Sequence, residues 1–221
     1  MKNIIAIPVL ILAFTSIFSN THLIAQDNDT PAFTEFVAQF PQASLPYSLS
    51  TETLQAQIEL NTAAKAKRLG WQYYQFLPEL ERSAEFSNMP VYPEPVAAFE
   101  TKEYVAVLYN IARGSVKGNK TYTISLFDHA GNHIATNFVA GADTKTITTT
   151  TIDANFVAQV TAYKVIWTLD FLENGREGNS VKSLESSSKQ SIDLTLPGNP
   201  DQIDWSVKTT TADKSNDIAT K

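Results

Sequence analysis

The spacing of apolar positions along this chain changes near residue 96. Upstream, Phe33, Phe36, Val37 and Phe40 recur at i, i+3, i+4 and i+7, the stripe of an amphipathic helix. Thr30-Pro31 supplies an N-cap hydroxyl followed by a first-turn proline, and Pro41 stops the run. Leu45-Pro46-Tyr47 reads as a non-helical connector. Residues 52–69 then predict one or two short helices, with Leu54 and Ile58 on one face, helix-forming Ala63, Ala64 and Ala66, and Gly70 as a C-cap or break. Trp71, Tyr73, Tyr74, Phe76 and Leu77 form the densest aromatic cluster, closed by Pro78, and their spacings prefer helix.

Met89 to Pro95 carries three prolines, which remove donors and fix φ, so it predicts an extended bridge. From Val96 onward the period is two. Tyr104–Ile111, Thr121–Phe127, His133–Val139, Lys145–Ile152, Phe156–Leu169, Val181–Leu184 and Ser191–Leu196 all alternate or run apolar. Asp128 to Asn132 and Asp153 to Asn155 punctuate them as turns, and Glu173 to Asn179 reads as an open hairpin loop. Short connections imply antiparallel neighbours. The expected fold is α+β, with short N-terminal helices (30–78) packed on an antiparallel meander of seven or eight strands (96–196). The alternative is an all-β sandwich or barrel with a helical cover.

The first residues change the picture of address. Lys2 precedes Ile4–Phe18, an uncharged run of 15 residues. That is shorter than the roughly 20 residues of a membrane span and fits the apolar core of a secretory signal. Ala25 and the polar Asp27-Asn28-Asp29 place cleavage after residue 26, leaving one domain over 27–207 and an expected disordered tail over 208–221. With no cysteine, the chain carries no disulfide, no thiolate metal site and no lipoprotein anchor. The expected location is the periplasm or the medium. Loss of Lys2 with the signal moves the net charge from −6 to −7, which disfavours nucleic acid as a partner.

The ending Leu23-Ile24-Ala25-Gln26 resembles the signal peptides of Bacteroidota. The order of parts is similar to that of uncharacterised exported proteins of that phylum: a signal, a short helical segment, Phe76-Leu77-Pro78, and a meander with an Asp-x-x-Gly hairpin, here Asp128 to Gly131. The resemblance implies export and a bacterial envelope setting, and no activity.

Candidate chemistry is sparse. Asp128, His129 and His133 flank one hairpin and could meet a zinc ion across it, but Asp128 and His129 project to opposite faces of alternating strand. Asp170, Asn174 and Gly175 suggest a calcium loop, yet Leu172 and Val181 stand where oxygen ligands belong. Ser186-x-x-Lys189 has the spelling of a Ser/Lys nucleophile pair but lies in a polar run read as a solvated loop, where the lysine keeps its proton. Gly114 to Gly118 has no helix behind it to bind phosphate. Thr144, Thr146, Thr148 and Thr150 share one side of a strand read as solvent-facing.

The expectation is a non-catalytic exported module without metal or cofactor. It has no transmembrane segment once the signal is removed, and its partner is a protein or a glycan. The binding candidates are Trp71, Tyr73, Tyr74 and Phe76, as an aromatic platform. The alternatives are an envelope glycan or peptide hydrolase using Glu79, Glu81 or Glu85, and a carrier of small lipophiles.

Overall fold

The computed structural model describes residues 32–60, 67–77, 80, 92–112 and 117–197. The expected signal over 1–26 and the tail over 208–221 lie outside them. Among the described residues the helices are α1 (Phe33–Val37), α2 (Thr51–Ile58), the 3₁₀ helix Trp71–Phe76 and α3 (Phe171–Asn174). The strands are β1 (Tyr47–Leu49), β2 (Glu94–Glu100), β3 (Val105–Ala112), β4 (Lys120–Phe127), β5 (His133–Ala142), β6 (Thr146–Ile152), β7 (Val157–Trp167) and β8 (Val181–Asp193). The protein is therefore mostly antiparallel sheet with a few short helices.

Strands β2 to β8 pair in sequence order, and β1 joins at β6. The sheet is open: β2 and β8 are its two ends and do not close a barrel. It turns a corner between β5 and β6, which pair only at Gly141↔Thr148 and Ala142↔Ile147. Beyond that point the same side of β6 takes β1 instead, through Thr150↔Leu49 to Ile152↔Tyr47. The bend puts residues of both limbs into one core. Ala106 and Leu108 of β3 and Ile124 and Leu126 of β4 share it with Ile147, Ile152, Ala158 and Val160, closed by Leu54 and Ile58 of α2.

Strand alternation sends the intervening residues the other way. Ala98, Val107, Tyr109 and Phe127 form a second cluster with Phe36, Phe40, Leu69, Tyr73 and Leu77. Strands β2 to β4 are thus buried on both faces where these residues lie.

Several elements depart from the expected spans. Helix α1 is five residues long, has Ala32 at its N-cap without a side-chain bond, and ends in a tight turn that reaches Phe40. Thr30 and Pro31 lie outside the described residues. Helix α2 covers 51–58, capped by Ser50 and followed by Leu60 at φ +58°, while Ala63, Ala64 and Ala66 of the expected helical stretch lie outside the described residues. Gly70 is extended and leads into the 3₁₀ helix instead of closing a helix before it. Tyr47, read as part of a connector, begins the strand Tyr47–Leu49 because β6 offers a free ladder there.

Glu94 and Pro95 belong to β2, with a register shift between Pro95 and Ala97 that suits a proline in an edge strand. The polar run Ser186 to Lys189, expected as a loop between two short strands, continues β8 as one strand of 13 residues. The loop after β7 contains α3, N-capped by Asp170. The threonine face of β6 is not solvent-facing: Thr146, Thr148 and Thr150 are all buried. The corner and α2 enclose β6, and a side-chain pattern does not reveal that.

Candidate functional site

The aromatic cluster at 71–76 divides into an inward and an outward half. A 3₁₀ helix has three residues per turn, so positions three apart share a side. Tyr73 and Phe76 face the sheet. Tyr73 is buried, and its hydroxyl accepts a hydrogen bond from Gln39 Nε2 at 3.1 Å. The Phe76 ring stacks on Phe36 at 4.8 Å and meets Phe33 edge-on at 5.7 Å. Phe36 in turn touches Phe40 and Phe127, at 5.3 and 6.0 Å between centroids. These two candidates are occupied in a web of rings, each pair contributing about 0.5–1.5 kcal/mol beyond its buried area.

Trp71 and Tyr74 lie on the other side. Trp71 is 82% exposed, and Tyr74 is half-buried. Burial raises the Tyr74 hydroxyl above its ordinary pKa; nearby Tyr92 adds to that, and Arg68 opposes it. The Arg68 guanidinium sits 4.5 Å from the centroid of the Tyr92 ring, in cation–π geometry. Tyr92 is itself 46% exposed. The Leu69 amide donates to the Pro93 carbonyl at 2.8 Å, which ties the 67–70 segment to the start of β2. That bond brings Arg68 and Tyr92 close to Tyr74, which shares its side of the 3₁₀ helix with Trp71. Sequence reasoning missed Arg68 and Tyr92, because a tyrosine between prolines reads as part of a spacer.

The Asp128–Asn132 hairpin spends its polar groups on structure. Asp128 Oδ1 accepts from the Ala130 and Asn132 amides at 2.9 and 2.8 Å, and Oδ2 accepts from Asn132 Nδ2. These bonds, the Asn132 side chain first, hold the carboxyl below its usual pKa. His129 Nε2 lies 3.0 Å from the Thr101 carbonyl, while His133 Nε2 lies 2.7 Å from Thr136 Oγ1 and its ring packs edge-on against Phe127. The two imidazoles diverge. Gly131 has φ +88°, and a Cβ there would come within 2.7 Å of the Phe33 ring, so the Asp-x-x-Gly turn is a packing device against α1.

Among the described residues no group of three or more His, Asp or Glu is placed to hold a metal ion, and no helix is long and apolar enough to cross a membrane. Asp170 of the supposed calcium loop caps α3 through the Leu172 and Glu173 amides. Ser186 and Lys189 are exposed on β8. Glu79, Glu81 and Glu85 lie outside the described residues. The chain matches no protein-family model, no curated protein and no solved structure.

Proposed function

We propose that this protein is an exported, non-catalytic binding module of the bacterial envelope, and that it recognises glycans through Trp71, Tyr74, Tyr92 and Arg68. In this reading the short helices cover the outer face of β2 to β4 and present the recognition face on their far side. The observation that carries it is Trp71, 82% exposed and one 3₁₀ turn from Tyr74, whose hydroxyl lies within electrostatic reach of the Arg68–Tyr92 pair. A large apolar ring left in water beside others of its kind marks an interaction site. Such rings stack on the C–H faces of sugars, while Arg68 and the exposed amides of Gln72 and Gln75 can donate to hydroxyls.

Thermal unfolding of the purified protein against a panel of soluble glycans tests this reading. A glycan at 100 times its dissociation constant adds about 2.7 kcal/mol and raises the midpoint of the wild type. Trp71→Ala leaves the unliganded stability within about 0.5 kcal/mol, as expected for an exposed side chain, and abolishes the shift. A panel that moves neither protein, or a glycan that shifts both equally, sinks the assignment.

A further inference from the structure

A second surface lies at the far end of β7, where the chain leaves the sheet for α3. There the β5–β6 turn runs alongside β7, the Val165 amide donating to the Lys145 carbonyl at 2.8 Å. Trp167 donates its indole N–H to the Thr144 carbonyl at 2.7 Å, which fixes the ring as a wall. The Phe171 ring packs against Trp167 at 4.8 Å, and Leu169 and Leu172 extend the apolar lining. These elements enclose an open groove of about 630 Å³, within the range of small-molecule sites. Leu172 is 91% exposed and Leu169 46%, an unusual outlay of apolar surface on the connection between β7 and β8.

The rim of the groove is charged. Lys145 and Lys164 both line it, together with Asp170. Asp170 already accepts hydrogen bonds from the Leu172 and Glu173 amides, at 2.8 and 3.2 Å. Glu185 stands opposite Lys164 in the β7–β8 ladder. Lys145 is therefore the cation best placed to meet the charge of a ligand. An apolar floor with a cation at its lip complements an amphiphile with an anionic head, and its concave shape suits a single chain, not a bilayer surface.

We propose that this groove binds a monomeric long-chain carboxylate, its acyl chain along Trp167, Leu169, Phe171 and Leu172 and its carboxylate at Lys145. The site is separate from the aromatic face and does not depend on glycan binding there.

The test is calorimetric titration of the purified protein with dodecanoate below its micelle concentration, with dodecanol as the uncharged control. Saturable binding of dodecanoate is expected. Lys145→Glu weakens dodecanoate about tenfold and leaves dodecanol unchanged. Leu172→Asp removes both, and melting curves of the two variants overlay the wild type because both side chains are exposed. The proposal is overturned by the absence of saturable dodecanoate binding, by dodecanoate binding that survives Leu172→Asp, or by an equal effect of Lys145→Glu on both ligands. Association with phosphatidylglycerol vesicles in the absence of dodecanoate binding overturns it as well, and assigns the loop to membranes.

Discussion

Thr150 is 2% exposed, and its hydroxyl is one of the buried polar atoms that find no hydrogen-bond partner. Desolvating such a group without a partner costs about 1–3 kcal/mol, and valine has the same branched shape. Thr150→Val should therefore stabilise the fold by about 1 kcal/mol, read as a higher urea midpoint at unchanged slope. Phe156 shows the opposite compromise. It holds φ +57° in the β6–β7 turn, a costly conformation for an aromatic residue, yet its ring is buried in the core beside Tyr104. Asp153 fixes that turn by accepting from the Asn155 and Val157 amides, both at 2.9 Å.

At His133, desolvation holds the imidazole below its ordinary pKa of about 6.5. The folded state thus binds the proton more weakly than the unfolded chain. Its contribution is intact above about pH 6.5 and is lost as pH falls from there through the folded value. Asp128 and Asp193, held low by hydrogen bonds, lose theirs only below about pH 4. His133→Gln should flatten the decline in urea midpoint between about pH 7 and 5 and leave the steeper loss below about pH 4. An undiminished slope between about pH 7 and 5 in the variant would assign that window to another group.

Among elements, α1 is too short to persist alone; an isolated helix of five residues never repays its nucleation. Its rings hold it, Phe36 above all, which is fully buried against Phe40, Tyr73, Phe76 and Phe127. Phe36→Ala should cost about 3–5 kcal/mol, a large share of the stability of a domain of this size, and circular dichroism in urea would measure it. The stripe of phenylalanines was legible in the sequence, but the length of the helix was not, because packing ends it.

Strand β8 poses the converse case. Among the described residues it pairs only with β7, and nearly all of its side chains are exposed on both faces, so the pattern that marks its ends does not announce its middle. Val181, Leu184 and Ile192 pack its ends against the core, and between them the ladder to β7 makes it a strand. Its ladder shifts register at two places, so Lys182 and Ser187 have no paired residue in β7, and Ser187 donates its hydroxyl to the Ala162 carbonyl at 3.1 Å instead. Bulges and lysines of this kind spoil a free edge as a template for another chain. Deleting Ser187 restores continuous pairing on both sides of the bulge. Concentration-dependent self-association should follow, visible by sedimentation velocity; a variant that stays monomeric would mean that the charges suffice.

For the whole molecule, the decisive feature is the corner between β5 and β6. One face of the central strands there shares a core with the other limb of the meander, while the opposite face is buried against Phe36, Phe40, Tyr73 and Leu77. The opposite edge, β2, is partly covered by the Pro41–Ala43 segment: Ala43 donates to the Ala98 carbonyl at 2.9 Å, and Ala98 donates to that of Pro41 at 2.8 Å. The sequence by itself determined the period-two strands β3, β4, β5 and β7 and the turns Asp128–Asn132 and Asp153–Asn155, because alternation and Asp/Gly turn chemistry are local. It also determined that the cluster at 71–76 is exceptional. Only the tertiary structure decided which rings of that cluster face water, that Tyr92 and Arg68 join them, that the β6 threonines are enclosed, and that β1 and the middle of β8 are strands. Each of these depends on which neighbour lies across a face or an edge, and such a neighbour is supplied by residues distant in the chain that leave no mark on the local pattern.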